Sequence, residues 1–259
     1  MMKVSDIVAA VEQFAPLGIQ EPWDNSGLCI GSPDDPVHGV MVGFDCTPAL
    51  VRDAIAAGCD MIITHHPLIF KGLKQITPSE PTGEAIMKAI RGGIAVYAAH
   101  TTADKVIEGV SGAMARRLGL KDIHILEDEG GTGLGAYGTL EKPLTGMGAI
   151  ALIKERFDLK IVRTSAPIEG PITTVAVLGG SGGGEISSAR AAGAQLYITA
   201  DISYHNFFTP KGFMVADIGH FESEVEIASI LFSFLKKKFP NFAVHLGASL
   251  RDGNPVHYF

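Results

Sequence analysis

Apolar residues recur at helical spacing over positions 4–14, where Val4, Ile7, Val8, Val11 and Phe14 fall on one face. Ser5 can cap that helix and Pro16 stops it. A loop with Pro22, Asn25 and Gly27 follows, and then the pattern changes. The run Val40–Phe44 is continuously apolar, as a strand buried on both faces should be. Thr47 and Pro48 open a helix through Ala57 that Gly58 closes, and the apolar strand Met61–Thr64 runs straight into His65-His66-Pro67. A helix over roughly 82–91, a Gly92-Gly93 stop and a strand Ile94–Ala99 then deliver His100. Strand and helix in alternation predict a parallel sheet with helices on its faces.

Residues 127–135 are glycine-rich and acidic and carry no periodicity, which marks them as a candidate linker. They divide the chain into expected halves of 1–128 and 129–259. The second half predicts a helix over 145–157, a strand Ile172–Leu178, a glycine cluster at 179–184 and a helix through Ala192. A strand Leu196–Thr199, another over 213–218 and a long helix over 222–238 complete it. The halves also echo each other. Ala54–Gly58 leading to Ile63-Thr64-His65-His66 matches Ala189–Gly193 leading to Ile198-Thr199-Ala200-Asp201, and His100…Asp104 matches His220…Glu224. The fold class expected is therefore α/β, with two related α/β halves whose sheets are mixed, largely parallel and flanked by helices.

Composition narrows the function more than the fold. Hydrophobic residues make up 46% and charged residues 19% of the 259 positions, an ordinary globular balance. A net charge of −7 gives no broad cationic surface for phosphate backbones, so a nucleic-acid partner is not expected. Lys236, Lys237 and Lys238 read as a solvated helix end. Cys29, Cys46 and Cys59 are odd in number and form no C-x-x-C pair, which fits a reducing compartment and excludes a thiolate zinc site. Asp6 and Glu12 interrupt any signal-peptide core, and no apolar run reaches membrane-span length. A cytoplasmic protein without a membrane partner is the expectation.

The chemistry lies at the ends of the strands. Ligands in open α/β sheets gather at the carboxyl ends, and four predicted strands end there in polar residues: His65-His66, His100, Asp201 and His220. Adjacent histidines on an extended strand face opposite ways, so both serve one site only if the chain turns between them. His220 and Glu224 share a face if their helix begins at or before His220, and His100 and Asp104 have the same spacing. Imidazoles mixed with carboxylates suit zinc, manganese, iron or nickel. A single histidine after a strand is most often structural, and His-x-x-x-Glu also stabilises ordinary exposed helices, so the adjacent pair carries most of the weight. The glycine stretch 179–184 lacks the lysine and threonine of a P-loop and reads first as a flexible turn between strand and helix, with an anion on the following helix N-terminus as the second reading.

Five motifs then appear in order across nearly the whole chain: Trp23-Asp24-Asn25-Ser26-Gly27-Leu28, Thr64-His65-His66-Pro67-Leu68-Ile69-Phe70, His100-x-x-x-Asp104, Thr199-Ala200-Asp201-x-x-Tyr204-His205 and Gly219-His220-x-x-x-Glu224. Together they resemble the NIF-three-like family of hexameric proteins with a dinuclear metal centre, whose members carry the name GTP cyclohydrolase 1 type 2 homologue. The resemblance implies metal ligands at His65, His66, Asp104, His220 and Glu224, with Glu224 bridging two divalent ions per subunit. It makes His100, Asp201 and His205 polar neighbours of that site. His100 and His205 are the candidate catalytic proton carriers. Ala200 stands where the family usually has glycine, and Thr102 where it usually has asparagine. The resemblance further implies a toroidal homohexamer and a metal-dependent hydrolase acting on a nucleotide or another phosphate-bearing small molecule. A non-enzymatic metal-handling or protein-interaction role is the alternative. On either reading the ligands come from both halves, so the halves must dock before the site exists.

Overall fold

The computed structural model describes residues 1–250 and 253–259. The chain forms two compact units, the first made of Met1–Ala103 with Ile227–Phe259 and the second of Asp104–Glu226. In chain order the first contributes helix α1 (Val4–Phe14), strands β1 (Gly27–Ile30) and β2 (Gly39–Val42), α2 (Pro48–Ala56), β3 (Met61–Thr64), α3 (Pro81–Arg91) and β4 (Ala95–Ala98). The short helix α4 (Thr101–Asp104) leads into the second unit. There follow α5 (Val110–Arg117), β5 (Lys121–Ile125), β6 (Ala136–Leu144), α6 (Gly146–Phe157), β7 (Arg163–Thr164) and β8 (Ile172–Ser181). Next come α7 (Ile186–Ala191), β9 (Leu196–Ala200), β10 (Met214–Asp217) and α8 (His220–Glu224). Helix α9 (Glu226–Lys238) carries the chain back to the first unit, where β11 (Ala243–Leu246) forms. No helix among the described residues is long and apolar enough to cross a membrane.

The first unit holds a five-stranded sheet in the order β1-β4-β3-β2-β11. Only β1 runs antiparallel to its neighbour; β4, β3, β2 and β11 are all parallel. That is why β2, β3 and β4 are buried at every position and read as unbroken apolar runs rather than alternating ones. Ile62, Ile63 and Val96 are fully buried, and each such side chain contributes roughly 1.5–3 kcal/mol relative to exposure. Helix α2 starts where the sequence places it: the Thr47 hydroxyl accepts from the Leu50 amide at 3.1 Å and Pro48 occupies the first turn.

The second unit holds a six-stranded sheet in the order β5-β6-β8-β9-β10-β7. Its centre, β8-β9-β10, is parallel, while β5, β6 and β7 pair antiparallel. Each unit thus contains three consecutive parallel strands, β2-β3-β4 in one and β8-β9-β10 in the other, which agrees with the repeat visible in the sequence. Both sheets are mixed, although only the first is largely parallel. Thr145 caps α6 as Thr47 caps α2, accepting from Gly148 at 3.1 Å.

The division at 128/129 differs from these units, because it falls between β5 and β6, which pair within one sheet. The glycine-rich stretch 127–135 is the turn of that hairpin. The Leu126, Glu127 and Glu129 amides donate to Gly135, Leu134 and Thr132, and Gly130, Gly131 and Gly135 supply the positive φ angles that close it. Absence of periodicity is common to linkers and to tight turns, so the pattern alone could not separate them.

Candidate metal centre

In the first unit the site begins with a turn. The His65 and His66 amides both donate to the Phe44 carbonyl, at 3.1 and 3.2 Å, and the Thr64 hydroxyl donates to the His66 carbonyl at 2.8 Å. The backbone therefore leaves the extended form right after β3, and the two rings come to lie 4.9 Å apart on one side. His100, at the end of neighbouring β4, closes the group: its ring centroid is 5.3 Å from that of His65 and 5.5 Å from that of His66. One ligand nitrogen of each of the three imidazoles lies within 4.8 Å of the others.

Each ring is held by its Nδ1. His65 Nδ1 is 3.0 Å from the Ala99 carbonyl, His66 Nδ1 is 2.7 Å from Asp45 Oδ1, and His100 Nδ1 is 2.7 Å from Asp24 Oδ1. Carbonyls and carboxylates only accept, so Nδ1–H donates in all three and Nε2 is the nitrogen left to face a ligand. Burial would raise the Asp24 carboxyl, but hydrogen bonds from His100, Ser26 and Thr101 outweigh it and hold the group far below the usual carboxylate range.

In the second unit α8 begins at His220, so His220 and Glu224 stand one turn apart on one face, with Nε2 and Oε2 separated by 3.0 Å. His220 Nδ1 donates to Asp201 Oδ2 at 2.8 Å, and the same carboxylate accepts from the Ser181 hydroxyl at 2.6 Å. Burial acts to raise the Asp201 carboxyl, yet the bonds from Ser181 and His220 leave it lowered. Asp201 adopts a left-handed conformation, φ +51°, that acidic residues tolerate better than most. Asp104 completes this cluster: its carboxylate and that of Glu224, both almost fully buried, offer ligand oxygens within 4.8 Å of each other. Two carboxylate groups at that spacing are the arrangement a cation between them would favour.

The glycine cluster at 179–184 has a tighter purpose than a flexible turn. It extends β8 alongside α8, and the Gly180 amide donates to the Ser223 hydroxyl at 3.0 Å. A Cβ on Gly180 would overlap Glu224 Oε1, and one on Gly179 would overlap Val110. The backbone approaches a candidate ligand so closely that only hydrogen fits.

The site residues read from the sequence thus fall into two groups. His65, His66 and His100 meet in the first unit, and Asp104, His220, Glu224 and Asp201 in the second. His205 stands apart from both, exposed on a single 3-10 turn against the rings of Tyr204 and Phe208 at 5.3 and 6.4 Å. Two residues escaped the sequence reading as orienters of the rings, Asp24 and Asp45. Asp45 follows β2 at its carboxyl end, so the strand-end rule that found the histidines applies equally to it. Asp24 lies 76 positions from His100, and nothing local announces the pairing.

The donor set fits a metal ion: imidazoles oriented through Nδ1, together with buried carboxylates. The class defined so far is an α/β protein with mixed sheets and a histidine–carboxylate cluster able to hold a metal ion. The model of the Duf34/NIF3 (NGG1p interacting factor 3) family matches residues 2–255, and the chain belongs to that family. It is 35% identical over 229 residues to a "GTP cyclohydrolase 1 type 2 homolog" of Clostridium acetobutylicum, covering 86% of this chain and 85% of the relative. It is 32% identical to the Streptococcus pneumoniae protein of the same name, over 99% of this chain and 100% of that one. The crystal structure of a Staphylococcus aureus hypothetical protein superposes with a TM-score of 0.92 at 29% identity, covering 100% of this chain and 99% of the other.

Proposed function

We propose that this protein is a metal-dependent hydrolase with a dinuclear divalent-metal centre. Its ligands on this reading are His65, His66, Asp104, His220 and Glu224, with Glu224 as the bridge. The observation that supports it best is the common arrangement of His65, His66 and His220, each with Nδ1 tied to an acceptor, which leaves Nε2 as the donor nitrogen. Divalent ions, when bound, lower the pKa of a coordinated water and polarise the centre it attacks.

The chain's own residues do the rest. Asp45, Asp201 and the Ala99 carbonyl fix the tautomers of His66, His220 and His65. Asp24 orients the His100 ring through Nδ1, which would turn His100 Nε2 toward taking a proton from the attacking water and passing it to the leaving group. His205, exposed on its 3-10 turn, serves as the second proton carrier. The family resemblance and the relatives' name favour a nucleotide substrate, GTP, whose guanine ring opens with release of formate. The same resemblance supports a homohexamer, and the three unpaired-in-sequence cysteines favour a reducing compartment such as the cytoplasm.

Metal analysis of the native protein, followed by assay with that metal restored, tests the reading. Two ions per subunit and formate release from GTP are expected. Cleavage of phosphodiesters without formate release would move the substrate class. Full occupancy with no turnover on any hydrolase panel would replace the enzyme by a metal-handling factor.

A further inference from the structure

Two large aromatic side chains lie in water beside the first-unit histidines. Trp23 is 59% exposed and Phe70 43% exposed, a poor use of apolar surface if they served only to pack. Both are nonetheless held in fixed positions. Their centroids are 6.1 Å apart, and those of Trp23 and Phe70 lie 6.2 and 5.9 Å from His100, all three contacts edge-to-face.

The backbone on either side of these rings is bolted down. Asp24, next to Trp23, receives hydrogen bonds from His100 Nδ1 at 2.7 Å and from the Thr101 hydroxyl at 2.5 Å. The Asn25 side-chain amide donates to the carbonyl of Ile69, next to Phe70, at 2.5 Å. Asp24 thus ties the Trp23 segment to β4's end, and Asn25 ties it to the Phe70 segment. Exposed rings on anchored backbone are preorganised for a ligand, because little conformational entropy remains to be lost on binding.

We infer that Trp23 and Phe70 form a stacking platform for a planar nitrogen heterocycle, presented beside the imidazoles of His65, His66 and His100. The chemistry follows from the rings: aromatic faces in water hold flat heterocycles by stacking, with little demand on the pattern of hydrogen bonds. The inference rests on the reading of His65 and His66 as metal ligands with His100 as the proton carrier beside them, and it names the part of a substrate that the platform would grip.

The chain has a single tryptophan, so Trp23 reports on its own surroundings. The intact metal-loaded protein is titrated with guanosine, and with ribose 5-phosphate as a ligand without a heterocycle, while tryptophan emission is followed. Saturable quenching by guanosine and none by ribose 5-phosphate is expected. Calorimetry on Phe70→Ala should show guanosine binding weakened about tenfold, with metal content and melting temperature unchanged. Leu73→Ala, which removes another exposed apolar side chain from the same segment, should bind guanosine as the parent does. Three results overturn the inference: no saturable response to guanosine, equal loss in Leu73→Ala, or protection of Trp23 from acrylamide in the ligand-free protein, which would mean the ring is already covered by another copy. None of these readouts needs turnover. Failure of formate release leaves the platform standing, and failure of the platform leaves metal binding standing.

Discussion

The two units present imidazoles by different means. In the first, three histidines sit at the ends of parallel strands, and a turn after β3 swings His66 round beside His65. In the second, the histidine is the first residue of a helix, and its partner carboxylate lies one turn along. Support differs as well. His65 is wholly buried and leans on a backbone carbonyl, whereas the His220 side chain is 37% exposed and depends on Asp201, which itself sits in a left-handed conformation. A ligand carried by buried strands inherits its position from the sheet; one carried at a helix start needs glycines beside it and a hydroxyl to hold its orienting acid. The second cluster should therefore be the more easily broken.

Gly180→Ala is the harshest test. A side chain there meets Glu224 and must adopt φ +65°, so a loss of about 2 kcal/mol or more is expected, together with loss of metal. Chemical denaturation and metal analysis would show it, and a variant with native stability and full metal would refute the close-approach argument. A milder pair compares the orienting acids directly. Asp45→Asn and Asp201→Asn should each lower metal affinity roughly 10–100-fold, with Asp201→Asn the worse because Ser181 and His220 both bind that carboxylate. Competition with a chelator would rank them, and the opposite order would mean that exposure does not set the dependence. The smallest effect compares the helix caps. Thr47→Ala in the first unit and Thr145→Ala in the second should each cost about 1 kcal/mol in urea denaturation.

Much of this organisation is legible in the chain because the signals are local. The helix over 4–14, the capped start at Thr47 and the apolar run Met61–Thr64 each follow from residues within a turn or a strand of one another. What escaped depends on distant partners or on short, polar elements. Strand β1 contains Gly27 and sits next to a loop, so only its pairing with β4 reveals it. Strand β5 is mostly exposed, and Ile123 and Ile125 are the two half-buried positions of its single short alternation. Helix α5 carries Ser111 and Gly112 in its first turn, where close packing against β8 overrides poor helix propensity. The long helix expected over 222–238 starts earlier, at His220, and is interrupted at Val225. That earlier start is what joins His220 to Glu224. Among the site residues, the histidines were visible at strand ends, while the pairing of Asp24 with His100 needed the tertiary fold.

The placement of β11 has a consequence for how the molecule is made. This strand completes the first sheet by pairing with β2, yet it follows the entire second unit in the chain. A ribosome therefore finishes the inserted unit while the outer edge of β2 is still bare. For that interval the nascent first unit carries an uncovered, wholly apolar parallel strand, the kind of edge that recruits other chains. The order of synthesis leaves the older part of the protein waiting on the youngest.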